Sequence, residues 1–175
     1  DFSLKNVRFF MLERQRAQDK VDPERHSNRI METIQKDLRL KELPRHIECF
    51  DNSNFQGSYP VAACVVFKNA KPAKKDYRHF NIKTVEGPND FASMEEVIYR
   101  RYKRLQDENQ SMPQLIIVDG GKGQYSVSRE ILNELGLHDL PILAVAKGKN
   151  RHAGEEKIYH ENKEYILKKN DPLLF

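Results

Sequence analysis

Leu115-Ile116-Ile117-Val118 is a run of four apolar residues without alternation, closed by Asp119 and followed by Gly120, Gly121 and Gly123. A short strand that is apolar at every position is covered on both faces, as in sheets that carry helices. Val127, Ile131, Leu132 and Leu135 then recur at helical spacing between about Gln124 and Leu135, with Gly136 as a C-terminal stop. Pro141 to Ala146 reads as a second fully buried strand. Strand, helix and strand in that order pair in parallel through a right-handed crossover. This unit confines the chain to folds with a parallel strand pair and helices packed on a sheet.

Upstream, Ile47 to Asp51 is a largely apolar strand that also ends in an acid. Val61 to Phe67 is a second strand, whose composition suits burial on both faces. Lys68 to Lys75 is a lysine-rich turn. In Tyr77 to Ile82, Phe80 and Ile82 share one face while His79 and Asn81 share the other. Three strands without an intervening helix make an antiparallel meander. Gly87-Pro88-Asn89-Asp90 breaks it, and Asn89 or Asp90 can cap a helix bearing Phe91, Met94, Val97, Ile98 and Leu105. Its end is basic through Arg100, Arg101, Lys103 and Arg104, which suits the helix dipole. The predicted order is β-β-β-α-β-α-β, an α/β mixed sheet. Ile158-Tyr159 and Tyr165-Ile166 predict a small hairpin after it.

Residues 1–43 read as a helical lead-in that packs on the rest of the chain. Leu4, Val7, Phe10 and Met11 mark one short helix, and Ile30, Met31, Ile34 and Leu38 a second. Asp22-Pro23 separates them, and Ser27 and Asn28 are candidate caps for the second. No run of 18 apolar residues suggests a membrane span. Cys49 and Cys64 form neither a disulfide scaffold nor a zinc-ligand spacing, which points to a reducing, cytoplasmic setting. They can face each other across the first hairpin and read as core. The net charge of +4 over 175 residues is local: six basic residues lie between Lys68 and Lys83 against one acid, Asp76. Such a segment suits a polyanion, or it guards a sheet edge.

The acids carry the chemistry. If the strands ending in Asp51 and Asp119 are parallel neighbours, both carboxylates emerge at the sheet edge where open α/β sheets bind ligands. Two carboxylates that converge there suit Mg²⁺ or Mn²⁺, which can bridge a phosphate and activate water. Alternatively, each acid caps the turn that follows it. Asp119-Gly120-Gly121-Lys122-Gly123 fails as a P-loop, because Lys122 is followed by Gly123, and fails as a dinucleotide fingerprint at Ser126. Either its glycines allow a tight turn with positive φ, or they let backbone amides and Lys122 approach a phosphodiester. Asp90, Glu95 and Glu96 are further acids; Glu96 pairs with Arg100 at i,i+4. Lys147, with Lys149 and Arg151 beyond it, can hold phosphates. Tyr59, Tyr77 and Tyr125 can stack on bases or pack. His26, His46, His79, His138, His152 and His160 are scattered, and no G-x-S-x-G elbow exists.

Several ordered segments are specific together. They are Ile47-Glu48-Cys49-Phe50-Asp51-Asn52-Ser53, Val61 to Phe67, Asp76 to Lys83, Leu115 to Gln124, and Val145-Ala146-Lys147-Gly148. They resemble the C-terminal endonuclease domain of the bacterial excinuclease family UvrC from about residue 44 onward. The resemblance implies a ribonuclease H-like mixed sheet with a helical lead-in over 1–43 and an endonuclease domain over 44–175. It implies 5′ incision of damaged double-stranded DNA with Mg²⁺ or Mn²⁺, after UvrA and UvrB locate the lesion. Asp51 and Asp119 match the family's catalytic aspartates and metal ligands, and Asp90 matches the acid of its G-D-D-Y-A-A-M segment. Lys122, Lys147, Lys74, Lys75 and Arg78 are the expected DNA contacts. Asn52-Ser53-Asn54 stands where many members read I-S-H. The family's R-D-E-A-H-R-F histidine motif follows the segment matching Asp171 to Phe175, so the chain is expected to be a fragment that incises poorly alone. The competing readings are another ribonuclease H-like nuclease (a junction resolvase or hybrid nuclease), a DNA- or partner-docking module, and, more distantly, a nucleotide-binding domain.

Overall fold

The computed structural model describes residues 2–53, 61–85, 89–146, 157–161 and 163–166. Tyr59, Gly87-Pro88, Lys147, Gly148, Lys149, Arg151, His152 and the Asp171–Phe175 segment lie outside the described residues. Two helices lead in, α1 (Phe2–Val21) and α2 (Pro23–Asp37). Asp22, rather than Ser27 or Asn28, is the cap of α2, its carboxylate accepting the Arg25 N–H at 3.0 Å with Pro23 in the first turn. Ser27 lies inside the helix and donates to the Pro23 carbonyl. The lead-in packs only in part. Beyond α2, Leu38 and Leu40 are buried against Ile47, Leu115 and Leu143, whereas Leu4, Val7, Phe10 and Met11 of α1 are more than half exposed.

The remaining elements are β1 (His46–Ser53), β2 (Val61–Lys68), β3 (Lys71–Pro72), a 3₁₀ turn (Lys74–Asp76), β4 (Arg78–Asn81), α3 (Asp90–Asp107), β5 (Leu115–Asp119), α4 (Lys122–Glu134), β6 (Ile142–Ala146), β7 (Lys157–His160) and β8 (Lys163–Ile166). They form one mixed sheet of order β3-β2-β1-β5-β6-β7-β8, with β4 also paired to β2. The three central strands β1, β5 and β6 are parallel. The neighbours β2 and β7 run antiparallel to them. The predicted order holds, with the short β3 inside the lysine-rich turn and the β7–β8 hairpin extending the sheet beyond β6.

Helices α3 and α4 cover one face, where Met94, Val97, Ile98, Tyr102 and Leu132 meet Phe50, Ala62, Cys64, Val66, Ile116 and Val118. Fully burying each large apolar side chain there contributes roughly 1.5–3 kcal/mol. Among the described residues, the end of α2 and the segment after it cover the second face near the start of the parallel strands. Strand β2 therefore departs from its predicted double burial. Ala62, Cys64 and Val66 are buried under α3, while Val61, Ala63 and Val65 are half-buried on the second face. Cys49 and Cys64 do not face each other either: Cys64 sits opposite Phe50, and Cys49 opposite Val65, so the thiols lie on opposite faces. Both cysteines are free.

Candidate active site

Phe50 and Val118 are partners in the parallel register of β1 and β5, so the next residues, Asp51 and Asp119, stand side by side. Phe50 and Val118 point into the helix-covered core. Alternation therefore brings both aspartates out on the second face, at the C-terminal ends of strands about 4.8 Å apart. Asp51 is exposed and Asp119 half-buried. Their two carboxylates are hard oxygen donors, the type Mg²⁺ and Mn²⁺ select. Among the described residues no three His, Cys, Asp or Glu side chains group to enclose a metal. A pair of acids still fits Mg²⁺, which usually keeps several waters and takes one or two carboxylates.

Asp90 opens α3, whose cap is Asn89, the Asn89 carboxamide accepting the Ala92 N–H at 3.1 Å. The Asn52 Nδ2 donates to the Asp90 backbone carbonyl at 2.9 Å. That bond fastens the first turn of α3 to the strand end that carries Asp51. Lys122 begins α4, three residues after Asp119, and is exposed at this same end of the sheet. Lys74 and Lys75 are placed differently. They lie in the 3₁₀ turn between Pro72, opposite Phe67, and Arg78, opposite Cys64, beside the outer edge of β2 and not on the strands that carry the acids. The Arg78 Nη1 donates to the Lys75 and Tyr77 carbonyls, at 3.2 and 2.8 Å. Lys147 lies outside the described residues.

The glycines have a different job from positive φ. Among the described residues the only glycine in that region is Gly136, at φ 75°, which ends α4 as predicted. Gly121 has φ −92°. A Cβ on Gly123 would fall 2.2 Å from the Phe91 ring, so the glycine admits the close approach of α3 to α4. A Cβ on Gly120 would meet the Gln124 side chain at 2.6 Å. That side chain accepts the Gly121 N–H at 3.1 Å. Tyr125 is buried and Tyr77 packs against the core, so both serve packing. Burial pushes the Cys49 thiol up to about 11 and the Cys64 thiol higher, which removes both as nucleophiles.

Three polar contacts escaped the sequence reading. Glu48 is fully buried and receives the Arg101 guanidinium at both oxygens and the Tyr102 hydroxyl at 3.1 Å. Burial alone would raise its carboxyl, but His46 and Arg101 overcome it and hold the group at about 2. A lone acid inside the apolar run Ile47-Cys49-Phe50 was the available signal. Glu96 pairs with Arg100 as predicted, and also accepts the Lys83 and Thr84 N–H groups and the Thr84 hydroxyl. Against the effect of burial, Thr84, Lys83 and Arg100 hold the Glu96 carboxyl at about 2. The third contact is the Asn52 bond. A separate cleft of about 700 Å³ sits at the opposite end of the parallel strands, lined by Leu38, Arg129, Leu140 and His160 among others; none of the three aspartates lines it.

A mixed sheet with three parallel central strands, helices on one face and paired aspartates at neighbouring strand ends defines an α/β domain of the ribonuclease H-like class. Residues 35–175 match the family described as the UvrC RNAse H endonuclease domain, and the chain belongs to that family. The chain is 65% identical over 148 residues to the UvrABC system protein C of Flavobacterium psychrophilum, covering 84% of this chain and 25% of the relative. It is 48% identical over 173 residues to that of Bacteroides fragilis, covering 99% and 28%. It thus spans about a quarter of the length of the curated relatives it matches. Among solved structures it is similar to Endonuclease V from Streptomyces avermitilis, with TM-score 0.42 and 14% identity over 84% of this chain and 73% of that one. It is also similar to human ENDOV, with TM-score 0.41 and 21% identity over 59% and 45%. No helix among the described residues is long and apolar enough to cross a membrane.

Proposed function

We propose that this domain is a divalent-metal-dependent endodeoxyribonuclease that makes the 5′ incision in nucleotide excision repair. The observation that carries the reading is the in-register pair Asp51 and Asp119 on one face of the sheet. These two carboxylates would hold the ion. When bound, Mg²⁺ or Mn²⁺ supplies Lewis-acid stabilisation to a phosphodiester and lowers the pKa of water. The chain's own residues supply position. The acids fix where a scissile phosphate must sit, since their strands are anchored by Phe50 and Val118 in the core. The Asn52 bond holds the start of α3, and with it Asp90, near that place. Lys122 offers a cation to the phosphate backbone, and backbone contacts of this kind set register without reading sequence. Lys74 and Lys75, in the turn beside the outer edge of β2, would contact the same duplex away from the aspartate pair. Lys147 is a further backbone contact expected from sequence alone.

The substrate is damaged double-stranded DNA, and the partners are UvrB and, upstream, UvrA. Membership of the family and relatives named UvrABC system protein C support this. We divide the chain near residue 43, with the endonuclease domain following, and place the protein in the cytoplasm, in keeping with two free cysteines. The test uses the full-length protein with Asp51→Asn. Incision 5′ to a lesion is expected to disappear while DNA binding persists. Unchanged incision would sink the assignment. Preference for a branched or RNA–DNA hybrid duplex over a damaged one would move the domain to another nuclease activity.

A further inference from the structure

Strand register aligns a third polar side chain with the two aspartates. Asp51 is opposite Ala63 in the pairing of β1 with β2, and Ala63 is opposite His79 in the pairing of β2 with β4. Directly opposed residues in antiparallel pairs present their side chains on the same face. Asp119, Asp51, Ala63 and His79 therefore form one row across the second face of the sheet. The neighbouring row has the opposite parity. Cys64, opposite Arg78, is buried under α3, and Phe80 packs into that same core. His79 is exposed, and no described element lies over it. Arg78, beside it in sequence, is engaged with its own turn.

We propose that His79 is a binding residue for the DNA phosphate backbone, gripping the strand next to the phosphate held at Asp51 and Asp119. Two strand spacings separate His79 from Asp51, about 10 Å. A DNA strand presents one phosphate per about 3.4 Å of helix axis, so a strand crossing the sheet from the acids brings later phosphates past His79. Ala63 keeps that path open, since its methyl group is the smallest side chain that still belongs to the sheet surface. An imidazole N–H donates to a phosphate oxygen, a charge-assisted bond. The opposite polarity of the row follows the same logic: acids where a cation and the reacting phosphate meet, a donor where only the backbone passes.

The assignment rests on the nuclease reading, so the experiment separates the two. Steady-state incision of a damaged duplex by the full-length protein is measured for His79→Ala, His79→Gln and His79→Lys, beside Asp51→Asn. His79→Ala is expected to raise KM about 10- to 150-fold, the worth of one hydrogen bond to a charged group, with a smaller effect on kcat. His79→Lys should restore KM, because an ammonium also donates to phosphate. His79→Gln, which keeps a neutral donor, should fall between them. An unchanged KM in His79→Ala overturns the proposal. So does a loss confined to kcat that His79→Lys fails to recover. Inactive Asp51→Asn with parental kinetics in His79→Ala rejects His79 alone, whereas active Asp51→Asn rejects the nuclease reading beneath it.

Discussion

Replacing Arg101 with methionine would leave the Glu48 carboxylate in the core without its cation. Glu48 has no exposed surface and the Arg101 side chain only 11%. The guanidinium meets both carboxylate oxygens, Nε to Oε2 at 3.1 Å. Tyr102 and the His46 ring, whose Nε2 is 3.3 Å away, remain but cannot replace a full charge. Removing one partner of a buried pair typically costs about 3–5 kcal/mol. For a chain of this size each kcal/mol is worth about 2–4 °C, so Arg101→Met should melt roughly 6–20 °C below the parent. The Glu48→Leu/Arg101→Met double variant should recover most of that loss, because apolar replacement of a buried pair is often neutral. Thermal unfolding followed by circular dichroism measures both. The pair also has a pH signature. The Glu48 carboxyl is held at about 2 in the fold against an ordinary 4.5, so its stabilisation is complete above about pH 4.5 and disappears as pH falls through 2. Arg101→Met should lose that part of the acid sensitivity. A cost under about 1 kcal/mol, the range of an exposed pair, would refute the reasoning, as would a double variant no better than Arg101→Met.

Gly123→Ala places a methyl into the Phe91 ring and should cost about 1–3 kcal/mol; Gly123→Ala/Phe91→Ala should relieve the clash, and chemical denaturation compares the two. Glu96→Ala removes the acceptor for the Lys83 and Thr84 N–H groups. Hydrogen exchange at those two amides should accelerate, with a stability loss of about 1–3 kcal/mol, and unchanged exchange would show that the carboxylate does not hold this segment.

The central fold was legible because Leu115–Val118 and Pro141–Ala146 read as strands of a parallel pair, although Ile117, Val145 and Ala146 are only half-buried and the expected full burial of both strands is incomplete. The aspartate pair was legible because each acid follows an apolar stretch, although β1 does not end at Asp51 as expected but continues to Ser53. What escaped depends on contacts distant in sequence. Arg101 reads as one more cation at a helix end; only folding brings it to Glu48, 53 residues away. Asn52 reads as a turn former, yet it binds the Asp90 carbonyl across 38 residues. The glycine loop misled because composition does not distinguish a residue that bends from one that makes room, and Gly123 makes room for Phe91. Burial of β2 on both faces was overestimated because nothing in Val61–Phe67 records how far α2 extends over the sheet. The same blindness hid the row through Ala63, since register across two antiparallel pairings is a property of turns between strands.

The pairing of β1 with β5 has a consequence for how any preparation of this protein should be judged. A slip of one residue exchanges the two faces of a strand. It would turn Asp51 into the helix-covered core and expose Phe50 and Glu48. No misregistered molecule can then present both acids together, even if it is compact and rich in secondary structure. If Asp51 and Asp119 are the catalytic pair proposed above, specific activity would count the molecules whose central strands are in register, which a dichroism spectrum or an elution volume would not distinguish.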